Sequence, residues 1–162
     1  MIIRPAEPGD YPALVAIWNP VIRETAIIFH SEEKTVASVA HLITARRAQG
    51  HEFFVAEGAG VILGFASYAQ FRGGNGYAQA MEHSVILAPA ARGQGAGRSL
   101  MAAVEDHARG AGAHTLFAAI SGENPEGVSF HQALGFRLMA RLPEAGRKFG
   151  RWLDLVLMMK IL

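Results

Sequence analysis

The chain of 162 residues is 51% hydrophobic and 18% charged, with a net charge of +1 and no cysteine. This balance predicts one domain spanning residues 1–162 with a sizeable core, and it excludes a disordered chain. Disulfides and thiol nucleophiles are excluded too, and the charge gives no case for nucleic acid or anionic membrane as a partner.

The opening "MIIRP" reads as a short strand. Arg4, Glu7 and Asp10 interrupt any apolar leader core, so an unprocessed cytoplasmic start is expected. No window approaches the ~20 apolar residues of a membrane span. Asp10 is placed to cap a helix with Leu14, Ile17, Trp18 and Val21 on one face, and Pro20 predicts a break or kink near Asn19. A second helix is predicted from about Thr35, with Val36, Val39 and Ile43 in register and Gly50 ending it.

The period then changes. "HEFFVAEGAG" and "VILGFASYAQF" read as a hairpin, "GGNG" as a loop, and "AMEHSVILAP" as a further strand closed by Pro89. A helix is expected from about Gly97 to Arg109, with Leu100, Met101, Val104 and Ala108 as its buried stripe. "HTLFAAI" is the next strand. Asn124 and Pro125 form a cap and first turn for a short helix that Gly135 ends, and "FRLMARL" and "RWLDLVLMMKIL" close the chain as strands. The order predicts an α/β fold of α+β type: a mixed, mostly antiparallel sheet with helices on both faces.

The stretch "PAARGQGAGRSLM" sets three glycines at the mouth of a helix. Glycine in a helix costs roughly 1 kcal/mol against alanine. A bound anion accounts for such a bare backbone, and so does a flexible turn. The P-loop is a poor match, because Arg98 stands where its lysine belongs; the dinucleotide fingerprint fails at the same residue.

Arg92, Gly95 and Gly97 match the Arg/Gln-x-x-Gly-x-Gly/Ala signature of the GNAT superfamily of N-acetyltransferases. "VEDHARGAGAHTLFAAI" and "ENPEGVSFHQALGF" resemble that family's later helix, strand and last helix. "IWNPVIRETAIIF", "MEHSVIL" and "GRKFGRWLDL" resemble its phosphinothricin and methionine sulfoximine acetyltransferase subgroup. The resemblance implies a GNAT fold of about seven strands and about four helices. It also implies acetyl-CoA as co-substrate, no metal, and a homodimer acting on a small-molecule amine.

Acetyl transfer to an amine needs a proton acceptor, a polarised thioester carbonyl and a neutralised thiolate. The resemblance places Glu82 as the base; a solvated strand-edge glutamate is the plainer alternative. Backbone groups of Val85, Ile86 and Leu87 are expected to pair with the pantetheine arm like an added strand, with the Leu87 N–H on the carbonyl. The N–H groups of Gly93, Gln94, Gly95, Ala96, Gly97 and Arg98 would cradle the pyrophosphate, with charge from Arg92 and Arg98. Asn124 is a cofactor contact or simply the helix cap. His131 is a thiolate acid, if it carries a proton to give, or a packed helix-face residue. The remaining histidines show no metal spacing.

Phe29, Arg72 and Tyr77 are the candidate acceptor residues, with Trp152 as a further wall. The subgroup carries Arg and Thr where this chain has Ala78 and Ala80, so part of its acceptor clamp is missing. The expected function is transfer of acetyl to the α-amino group of a small amino acid analogue. Two other readings stay open: acetylation of a protein or peptide N-terminus, and a catalytically silent CoA-binding module.

Overall fold

A computed structural model describes residues 1–162. In chain order the elements are β1 (Ile2–Pro5), α1 (Tyr11–Glu24), α2 (Val36–Ala48), β2 (Phe53–Gly58), β3 (Val61–Gln70) and β4 (Ala80–Leu87). They continue with α3 (Ala96–Gly110), β5 (Thr115–Ser121), α4 (Pro125–Ala133), β6 (Arg137–Lys148) and β7 (Arg151–Ile161). The seven strands form one sheet in the order β1-β2-β3-β4-β5-β7-β6, antiparallel except for the β4–β5 pair. That is the mixed α/β, mostly antiparallel architecture the element order predicts.

Alternation along β2 explains the two cores. Phe53 and Val55 face one way and join Tyr11, Leu14, Val39, Ile43 and Phe65 beneath α1 and α2. Phe54 and Ala56 face the other way, where they meet the α3 stripe of Leu100, Met101, Val104 and Ala108. Each face of the sheet is therefore sealed by the apolar side of a different helix layer.

Three local expectations change. Helix α1 runs unbroken through Pro20. Ala16, whose carbonyl loses its partner to the proline, is solvent-exposed, so water can serve it. Asn19 instead clamps the following loop: its amide donates to the Lys34 carbonyl at 2.9 Å and its oxygen accepts from the Lys34 N–H at 2.7 Å. Asp10 does not cap α1 with its side chain. Its carboxylate is held by the Arg4 guanidinium (2.7 and 2.9 Å) and by the Glu7 N–H. Val36, expected on the buried stripe of α2, is exposed at the first turn.

Candidate functional site

β4 and β5 pair in parallel only from Ala80–Thr115 to Glu82–Phe117. Beyond that point β4 keeps β3 on one side, while β5 follows β7. The strands splay, and the edge of β4 from Ser84 to Leu87 opens onto two adjoining cavities. These share Ile27, Val85, Ile86, Asn124 and His131.

One cavity, about 430 Å³, runs along Val85, Ile86 and Leu87 to the start of α3. Arg92, Gly93, Gly95, Ala96, Gly97 and Arg98 line that end. Gly93 (φ +74°) and Gly95 (φ +83°) hold left-handed conformations that a side chain would strain. No side chain caps α3, so its first N–H groups stand free for an anion at the positive end of the helix. Gly97 has a different reason: an added Cβ would sit 3.1 Å from the Phe130 ring, so this glycine lets α3 close against α4. Gln94 does not line the cavity; its side chain donates to the Ala90 carbonyl at 2.7 Å.

The other cavity, about 340 Å³, lies on the α1/α2 face of the sheet. Trp18, Leu42, Phe53, Phe65 and Ile86 give it apolar walls, Ile27, Ile28 and His30 bound it from the loop after α1, and Ser67 and Ser84 form part of its floor. Its charged lining residues, Lys34 and Arg46, are both cationic, and it has no acidic one. The loop that closes it is strapped to β6. Buried Lys148 donates through Nζ to the carbonyls of Ile22, Thr25 and Ile28 at 2.6, 2.7 and 2.6 Å.

Glu82 does not line this cavity. It stands two residues along β4 from Ser84, on the same face, between Ala69 and Phe117. Burial pushes its carboxyl above the ordinary carboxylate range, with the Arg46 guanidinium acting the other way. No salt bridge joins the two.

His131 lines both cavities, but its ring nitrogens are occupied: Nδ1 is 2.7 Å from the Gly127 carbonyl and Nε2 is 2.8 Å from His83 Nε2. The carbonyl requires a proton on Nδ1, so neutral His131 accepts from His83 at Nε2. Burial lowers the pKa of both rings. The acid role expected for His131 therefore lacks a free proton, and the ring instead anchors α4 to β4. Asn124 does serve as the α4 cap, its oxygen accepting from the Gly127 N–H at 2.9 Å, and it also faces both cavities.

The expected acceptor residues are not brought together. Phe29 packs on β6, where an added Cβ at Gly146 would collide with its ring. Arg72 lies over the Tyr77 ring in the loop after β3, and neither lines either of these two cavities. Trp152 is exposed beneath Arg147. The cavity is built instead from Trp18, Phe53, Phe65 and Arg46. From sequence, Trp18 falls on one face of α1 and Phe53 and Phe65 within strand segments, and Arg46 carries no assigned role.

The acetyltransferase (GNAT) family pattern matches residues 18–136, and the chain belongs to that family. It is 37% identical over 158 residues to an L-methionine sulfoximine/L-methionine sulfone acetyltransferase of Salmonella typhimurium, covering 98% of this chain and 92% of that protein. Among solved structures, a ribosomal-protein-alanine N-acetyltransferase from Brucella melitensis superposes with a TM-score of 0.96 at 38% identity over the whole of both chains. A phosphinothricin acetyltransferase from Sinorhizobium meliloti in complex with acetyl-CoA gives a TM-score of 0.94 at 28% identity, covering 99% of this chain and 88% of that one.

Proposed function

We propose that this acetyltransferase moves acetyl from acetyl-CoA directly to the α-amino group of a small amino acid analogue of the methionine sulfoximine, methionine sulfone or phosphinothricin kind. One observation carries the reading: a cavity with a free helix start and a cavity with aromatic walls meet along the unpaired edge of β4. The names of the matched relatives supply the substrate class.

Acetyl-CoA, when bound, supplies the activated acyl group. The free N–H groups at the start of α3, with Arg92 and Arg98, hold its pyrophosphate. The β4 edge at Val85, Ile86 and Leu87 receives the pantetheine arm as a neighbouring strand would be received, and the Leu87 N–H polarises the carbonyl. Glu82, its carboxyl raised above the ordinary range by burial, takes the amine proton across one bound water, and the departing CoA thiolate takes its proton from solvent. Asn124 holds α4 in place beside both ligands.

Release of CoA from acetyl-CoA, followed with a thiol reagent, tests this across amino acid analogues, polyamines and short peptides. The chain has no cysteine to add background. Turnover of the analogues that is lost in Glu82→Gln supports the reading; silence despite acetyl-CoA binding would leave only a CoA-binding module. Turnover confined to peptides would favour N-terminal protein acetylation, the activity named for the Brucella structure.

The sheet's last two strands support a homodimeric assembly. Leu138, Met139, Leu142, Phe149 and Trp152 are exposed along β6 and the β6–β7 turn, an apolar surface suited to a second copy. We infer a homodimer working in the cytoplasm. No helix is long and apolar enough to cross a membrane. A monomer mass in sedimentation at micromolar concentration would remove the dimer.

A further inference from the structure

We propose that Arg46 is the anchor for the acceptor's carboxylate, so that the cavity under α1 and α2 selects α-amino acids by charge. The inference rests on the acetyl-transfer reading above and names the group that reads the acceptor.

Arg46 projects from α2 into the 340 Å³ cavity. Its Nε is buried without a hydrogen-bond partner, and its guanidinium is in no salt bridge. A buried charged donor left unpaired is costly, and native structures rarely keep one without a use. The other cation of the lining is otherwise placed: Lys34 lies over the Trp18 ring at 5.2 Å. With no acidic side chain in the lining, an anion brought by the ligand is the partner this guanidinium lacks.

Position agrees with charge. Arg46 and Ser84 line the same cavity, and Glu82 stands two residues along β4 from Ser84 on the same face, with no salt bridge to Arg46. An α-amino acid carries its amine and its carboxylate on one carbon. With the amine directed to Glu82 and the carboxylate to Arg46, its side chain is left for Trp18, Phe53 and Phe65. A polyamine would put a second cation against Arg46 and Lys34 and is disfavoured there. The same cation answers the missing clamp, since Ala78 and Ala80 offer no charge of their own.

The test compares methionine sulfone with the amine left when its carboxyl group is removed, in wild type, Arg46→Met and Arg46→Lys. Steady-state kinetics are paired with calorimetric binding in the presence of CoA. The wild type is expected to prefer the acid by about 100-fold in kcat/KM, and Arg46→Met to bring that preference below about fivefold. The KM for acetyl-CoA should stay unchanged, and Arg46→Lys should keep part of the preference. A wild type indifferent to the carboxylate, or an Arg46→Met that weakens both acceptors equally, overturns the inference and leaves acetyl transfer standing. Carboxylate-dependent binding that Arg46→Met abolishes, with no turnover of either compound, supports the anchor and overturns the transfer reading. Neither binding nor turnover overturns both.

Discussion

His83 and His131 meet Nε2 to Nε2 at 2.8 Å, and the Gly127 carbonyl on His131 Nδ1 makes His83 the donor. The pair bridges β4 and α4 where the two cavities join, and it needs His131 Nε2 free of a proton to accept.

Its pH dependence follows. Burial first, then repulsion between the rings, holds His83 below the ordinary 6.5, and burial also lowers His131. The unfolded chain therefore binds more protons below that pH, and stability present above about 6.5 is lost as the pH falls. Each ring can cost up to about 1.4 kcal/mol per pH unit. Thermal melts from pH 7 to 5 should show the loss, and His83→Met should flatten the slope whatever its effect at pH 7. An unchanged slope would show that His83 takes up protons in the native state as readily as in the unfolded chain.

With Glu82 as the proposed base, the acid limb of activity should report its carboxyl. Its carboxyl is raised by burial, so kcat/KM should begin to fall at a pH above the ordinary carboxylate value of 4.5. Glu82→Gln should remove that limb and lower kcat by about 10²- to 10⁴-fold, with acetyl-CoA binding retained. Arg46→Met removes the cation that holds Glu82 down, so its limb should move to higher pH. A limb that stays put in that variant would separate the two residues.

Lys148 straps the loop that bounds the proposed acceptor cavity. Lys148→Met leaves three carbonyls without their donor, a loss on the order of 3 kcal/mol. The KM for the acceptor should rise more than that for acetyl-CoA, because Ile28 and His30 line only the acceptor cavity. Faster proteolysis between residues 25 and 34 would report the freed loop; equal effects on both KM values would mean general loosening.

The glycines before and within α3 should fail for different reasons. Gly97→Ala drives a methyl to 3.1 Å from Phe130, costing about 1–3 kcal/mol, and Phe130→Leu should recover much of it. Gly95→Ala meets no neighbour but is strained at φ +83°, so Phe130→Leu should not help it. Denaturant melts of the four variants decide between these outcomes.

What the sequence determined alone was local. The cap at Asn124, the stop at Gly135, the α3 stripe and the Gly-rich turn each depend on a few neighbouring residues, and each is found in place. The seven strands and four helices were legible for the same reason: period and punctuation are written along the chain. Pro20 was misread because a proline near a helix end, with its lost carbonyl partner at an exposed residue, costs little. The acceptor cavity was not legible. Trp18, Arg46, Phe53 and Ser84 lie on four separate elements, and only the packing of α1 and α2 on the sheet brings them to one space. Phe29 moved out of the site for the same reason, since β6, over a hundred residues later, offers Gly146 as its seat. Long-range packing, which no local pattern encodes, chose which of the chain's polar groups would be left without a partner and so free for a ligand.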